Sequence, residues 1–178
     1  CLSVCLSVCL SVCLSVFSVF TQVLLEPWFS PRPLTRVWCL YEILLTLLAN
    51  KKLTVLSPPQ EKAALSAALE KDLDAVQRAV GVISAETAEA TMEGDRTKIF
   101  AAIRSLLPRG FLELENRVKE RLREWTYEAG EEALAAMGDD PDARGTSVLI
   151  DRLATYFQQL GAYDRAEPLY EESLAARR

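Results

Sequence analysis

Half of the 178 residues are hydrophobic and one quarter are charged, a globular rather than a disordered composition. Twenty Lys and Arg against 25 Asp and Glu leave a net charge of −5, so no basic surface is implied and nucleic-acid binding is not among the expected functions. The chain contains no His, which removes the commonest general base and the commonest metal ligand.

The N-terminus is a tetrapeptide repeat, "CLSVCLSVCLSVCLSV", which holds Cys1, Cys5, Cys9 and Cys13; the fifth cysteine is Cys39. Cysteines four apart, with Leu, Ser and Val between and no second cluster, fit neither a zinc site nor a disulfide framework, so no metal is expected. Residues 1–20 are read as low-complexity hydrophobic repeat. The first ionisable side chain is Glu26, and the uncharged run before it is long enough to span a bilayer. Against a membrane helix stand the recurring Ser and the lack of a preceding basic residue; nor is there a small-residue cleavage site of signal-peptide type. Three readings stay open: an ill-defined appendage, which is favoured, a membrane or hydrophobic helix, and a strand with Leu and Val on one face. The absence of an initiating Met suggests a piece of a longer protein.

"TQVLLEP", residues 21–27, reads as a short buried strand closed by Pro. "WFSPRPL", residues 28–34, is a loop because of its two prolines. Residues 35–49 read as a helix with Thr35 as N-cap, apolar almost all round and therefore covered on several sides. "KKLTVLSPP", residues 51–59, is a second strand. Strand, loop, helix, strand is the pattern of a parallel crossover. Such a unit needs further strands, and none is visible, so poor solubility is expected unless the N-terminal repeat covers it. Within "TRVWCLYEI" a single acid, Glu42, interrupts an apolar run. The residues favour a partly exposed carboxylate paired with Arg36 or Arg32. Trp38 and Tyr41 read as core or edge aromatics rather than stacking platforms for a nicotinamide, and Cys39 as a small buried hydrophobe.

Residues 60–137 are expected to be helical throughout. "QEKAALSAALEKDLDAVQRAV" has apolar residues at helical spacing, "SAETAEATM" opens on Ser84 with Glu86 close behind, and "GDRTKIFAAIRSLL" covers 94–107. A long helix over roughly 112–137 would bury Leu114, Val118, Leu122, Trp125 and Ala129, leaving Glu115, Lys119, Arg121, Arg123 and Glu124 as a solvated surface. "GDDPDARGTS", residues 138–147, is turn-rich and marks a boundary.

The last segment, 145–178, contains "LIDRLATYFQQLGAYDRAEPLYEESLAARR", two short helices joined by a turn containing Gly. It resembles the tetratricopeptide-repeat helix pair, in wording close to the kinesin-light-chain variety. The resemblance implies that the small Ala154, Ala166 and Ser173 sit where the helices cross. It also implies that Leu153, Phe157 and Tyr170 fill the space between them and that Gly161 and Tyr163 shape the turn. One such pair does not bury its own apolar face. Either further repeats follow or the pair leans on the helix of 112–137. Tyr156 and Gln159 would face a peptide groove or be plain surface.

The segment "VLLEPW…PLTRVWCLYEILLTLLANKKLTVLSPP", with Trp38, Cys39, Leu40, Tyr41 and Glu42, resembles part of a Toll/interleukin-1-receptor-like (TIR-like) domain. The whole arrangement is similar to proteins of algae and other protists that join such a domain to kinesin-light-chain-type repeats through a helical linker. In members that cleave NAD, the Glu of this helix contacts the ribose beside the nicotinamide, so the resemblance implies Glu42 as catalytic carboxylate. A carboxylate there stabilises an oxocarbenium-like state. The segments that supply most of the family's pocket would precede residue 21, where the repeat stands, and the seven Gly form no G-x-G-x-x-G phosphate loop.

The expected fold is therefore mainly α with a small α/β part. It comprises a partial TIR-like (flavodoxin-like) strand–helix–strand unit over 21–59, a helical region over 60–137 and a tetratricopeptide hairpin over 145–178. The expected function is a cytoplasmic interaction scaffold, not an enzyme, without cofactor, whose partners are other proteins or peptides. The alternatives are an NAD-cleaving hydrolase using Glu42 and an adaptor anchored to a membrane by residues 1–25.

Overall fold

The computed structural model describes residues 20–81, 83–138 and 141–178. The readings of the N-terminal repeat concern residues 1–19 and lie outside the described residues. The chain is mainly helical with a small parallel α/β part, and it divides into two compact units. One holds described residues of 20–58 and 83–121, the other those of 59–81 and 122–178. The helical stretch 60–137 is thus shared between the units rather than forming a body of its own.

In the first unit, β1 (Phe20–Leu24) and β2 (Lys52–Leu56) pair in parallel, Phe20 opposite Lys52 and Leu24 opposite Leu56. They are joined by a 3-10 turn (Arg32–Thr35) and α1 (Val37–Leu48). A helix between parallel strands is the connection such pairing requires. The strand at 21–27 was expected to be buried. It alternates instead, with Val23 and Leu25 buried and Leu24 exposed, because the period of two sends neighbours to opposite faces. Helix α1 buries Val37, Leu40, Ile43 and Leu44, while Glu42 and Leu48 are exposed. The side-chain hydroxyls of Thr21 in β1 and buried Thr46 in α1 lie 2.7 Å apart and share a hydrogen bond.

The expected cap of this helix is corrected. Arg36, not Thr35, is the N-cap, and no side chain closes the helix end. Thr35 Oγ1 donates to the Arg32 carbonyl instead. The orphan Val37 N–H donates to the Glu89 carbonyl at 3.0 Å, and Glu89 N–H to the Thr35 carbonyl at 2.8 Å. A stretch of chain from far downstream thus supplies the cap. The same pairing explains why "SAETAEATM" is not helical: its backbone at Glu89 is committed to α1, and Glu115 accepts the Ala85 N–H at 2.8 Å. Helix α4 (Glu93–Leu106) and the first half of α5 (Gly110–Ala135) complete this unit.

The second unit begins with α2 (Pro59–Lys71) and α3 (Leu73–Gly81). Pro59 starts a helix instead of only ending a strand, since a first-turn position needs no N–H. Asp72 separates α2 from α3, and its carboxylate caps the second by accepting the Ala75 N–H at 2.9 Å. The rest is the second half of α5, then α6 (Pro141–Gly145), α7 (Val148–Gln159) and α8 (Tyr163–Ala176). The turn-rich segment 138–147 thus contains a short helix, packed against α8. Leu114, Val118, Leu122, Trp125 and Ala129 are all buried along α5, as their three-to-four spacing predicts. No helix among the described residues is long and apolar enough to cross a membrane.

Candidate functional site

Two places bear on function, one in each unit. The first is the antiparallel hairpin of α7 and α8. Ser147 opens α7, its hydroxyl accepting the Ile150 N–H at 3.3 Å. The turn at its end is a Schellman closure. Ala162 N–H reaches the Phe157 carbonyl at 2.9 Å and Gly161 N–H the Gln158 carbonyl at 3.0 Å, with Gly161 at φ 73°. Any residue with a Cβ is strained at that φ, which is the reason for glycine there.

Leu153, Ala154, Phe157, Ala166 and Ser173 are buried, and Tyr170 is half-buried. Between the two helices, Tyr170 Oη donates to Gln158 Oε1 at 2.9 Å and Ser173 Oγ donates to Asp151 Oδ1 at 2.7 Å. Arg177 also pairs with Asp151. Tyr163 is 66% exposed and belongs to the first turn of α8 rather than to the turn before it.

Phe157 also stands edge-on to Tyr127 of α5 at 5.2 Å, and Arg165 of α8 lies over the Tyr127 ring at 5.4 Å while pairing with Glu124 at 3.8 Å. The hairpin thus leans on α5. Arg144 of α6 ties the same elements together, donating to Glu131 of α5 at 3.1 Å and Glu172 of α8 at 2.5 Å. Of Tyr156 and Gln159, open to a groove or surface reading from the residues, Tyr156 is buried and Gln159 is exposed. Tyr156 is 1% exposed, and Gln159 accepts a hydrogen bond from Gln77 of α3. Gln77 stands 82 residues before Gln159, a distance at which helical periodicity carries no information.

The second place is α1. Trp38 Nε1 donates to Asp95 Oδ2 of α4 at 3.2 Å, and its ring meets Tyr41 edge-on at 6.5 Å. Trp38 is therefore a half-buried edge aromatic and Tyr41 a buried one. The expected pairing of Glu42 is overturned: Arg36 donates to Thr91 Oγ1 at 2.7 Å, and the Glu42 carboxylate has no hydrogen bond or ion pair with a described residue. The exposed α1 face leaves it in water, so the burial rule that called for a partner does not bind it. Its immediate surroundings are still apolar enough that burial raises its pKa above the ordinary value. Cys39, one turn away, is half-buried rather than buried. Burial first, then the charge of Glu42, push its thiol pKa up, with Arg36 opposing.

Asp95, Thr91 and Glu89 were missed by sequence reasoning; they lie more than 50 residues from the groups they meet, and no local pattern marks them. Among the described residues no cluster of three or more His, Cys, Asp or Glu could hold a metal ion. Comparison with family models, with curated proteins and with solved structures gives no match.

Proposed function

We propose that the chain is a protein–protein interaction scaffold in which α7 and α8 act as a tetratricopeptide-type hairpin of the kinesin-light-chain kind and β1–α1–β2 is a degenerate TIR-like segment. One observation carries the reading. The inner side of the hairpin is packed against α5 while the outer face of α8 exposes Tyr163 and Leu174 at 66% and 57%. Large apolar side chains at helical spacing on a surface serve contact with another element. The test is affinity capture with mass spectrometry, comparing the chain with its Leu174→Glu variant. Partners retained by the first and lost from an equally folded second support the scaffold. Identical partner sets from both remove it.

A second reading, NAD cleavage through Glu42, draws on the solvent-facing carboxylate without a described partner. Such a group is free to approach a ribose. Nicotinamide release from NAD should then fall in Glu42→Ala, and equal background release from both chains would end this reading.

A further inference from the structure

Along the outer face of α8 runs a groove of about 350 Å³. From α8, Tyr163, Ala166, Glu167, Tyr170, Glu171 and Leu174 line it, joined by Gln158 of α7. The α8 positions recur at three and four residues, so the groove follows one stripe of the helix for roughly three turns, about 16 Å. Its two ends are apolar and exposed, at Tyr163 and Leu174. Its middle is acidic.

Elsewhere on α8 Arg165 pairs with Glu124 and Glu172 with Arg144, and just past its end Arg177 pairs with Asp151. Glu167 and Glu171 are exposed and have no hydrogen bond or ion pair with a described residue. Apolar ends around an uncompensated pair of carboxylates define the complement. The geometry points to a basic amphipathic helix in trans, with two apolar anchors about three turns apart and Lys or Arg between them, as the ligand of this face. A second copy of the same face is the poorer occupant. It would bring four carboxylates into one interface, and like charges facing each other oppose association. This inference rests on the scaffold reading and names the partner class of that surface.

The probe is a fluorescein-labelled, alanine-based helical peptide with two leucines three turns apart and two lysines between them. Its counterpart carries glutamates in place of the lysines. Fluorescence anisotropy against the full chain should show saturable binding of the lysine peptide and about tenfold weaker binding of the glutamate peptide, from two exposed ion pairs replaced by repulsion. Affinity for the lysine peptide should fall as salt is raised. The double variant Glu167→Lys with Glu171→Lys, both on exposed positions, should reverse the preference while keeping the circular dichroism of the parent.

Failure of the lysine peptide to bind would overturn the inference. So would equal binding of the two peptides, or a preference untouched by the charge reversal in a folded variant. Self-association of the chain that Leu174→Glu abolishes would assign the face to a second copy and equally overturn it. If Leu174→Glu strips cellular partners but the lysine peptide does not bind, the basic-helix inference falls and the scaffold stands. If capture is unchanged by Leu174→Glu, the scaffold reading itself falls.

Discussion

Gly130 lies in the second half of α5, and a methyl group placed on it would meet Leu153 Cδ2 at 2.8 Å and Cδ1 at 2.9 Å. Leu153 is fully buried in α7, so it has no open space to swing into. Two effects compete in Gly130→Ala. Helix propensity favours Ala by about 0.5–1 kcal/mol. Overpacking a filled core costs about 1–3 kcal/mol. The clash outweighs the gain in propensity, and the net expectation is a loss of up to about 2 kcal/mol.

Leu153→Ala alone should cost about 2–5 kcal/mol through the space it empties. In the double variant the methyl at 130 occupies part of that space, so the combined loss should be less than the sum by about 0.5–3 kcal/mol. Gly81→Ala, at the end of α3 with nothing within 4 Å, is the control in the same unit and should be neutral or slightly stabilising. Urea unfolding followed by circular dichroism measures all four. Gly130→Ala as stable as the parent, or a cycle additive within about 0.5 kcal/mol, would mean that α5 and α7 do not touch there and that the hairpin does not lean on α5.

Replacing Arg144 by Met should destabilise the fold by about 1–3 kcal/mol in urea unfolding, since Glu131 and Glu172 lose a shared charged donor; an unchanged midpoint would show that α6 is not clamped. Burial pushes the Asp151 carboxyl up, but hydrogen bonds from Arg177 and Ser173 and the charges of Arg177 and Arg152 outweigh it and hold its pKa low. A lowered carboxyl pKa contributes stability that is present above the ordinary value of about 4 and is lost as pH falls through the folded value. Asp151→Asn should therefore be less stable than the parent at neutral pH and match it in acid, and a pH-independent difference would contradict the assignment.

Glu42 has the opposite sign. Its raised pKa keeps the folded state protonated after the unfolded chain has ionised, so the folded state loses stability as pH rises from the unfolded value through the folded one. Glu42→Gln should gain stability above that window and none below it, read as melting temperature against pH.

Where the chain's own periodicity was decisive, the elements follow from the residues. Leu114, Val118, Leu122, Trp125 and Ala129 are buried along α5 because a 3.6-residue repeat puts them on one stripe, whatever stripe they meet. The strand–helix–strand order over 20–56 is equally local, set by two short β-branched and aliphatic runs and the prolines between. Turn chemistry placed the break between α7 and α8, since only glycine takes the φ of residue 161 without strain.

What periodicity leaves open is which stripe meets which. Tyr156 reads as groove or surface on sequence grounds. It is buried because α7 also packs on α2 and against α3. Thr35 satisfies every local rule for a helix cap and does not serve as one, because the Glu89 backbone reaches Val37 first. Charge pairing followed the same logic: Arg36 turns to Thr91 and leaves Glu42 to solvent. Propensities act over one or two turns, worth tenths of a kcal/mol to about 1 kcal/mol each. Partners such as Thr91 for Arg36 and Gln77 for Gln159, 55 and 82 residues apart, are chosen by packing the whole apolar surface at once. For that reason the residues alone wrote the long periodic helices, and the tertiary structure decided which of their faces were left for function.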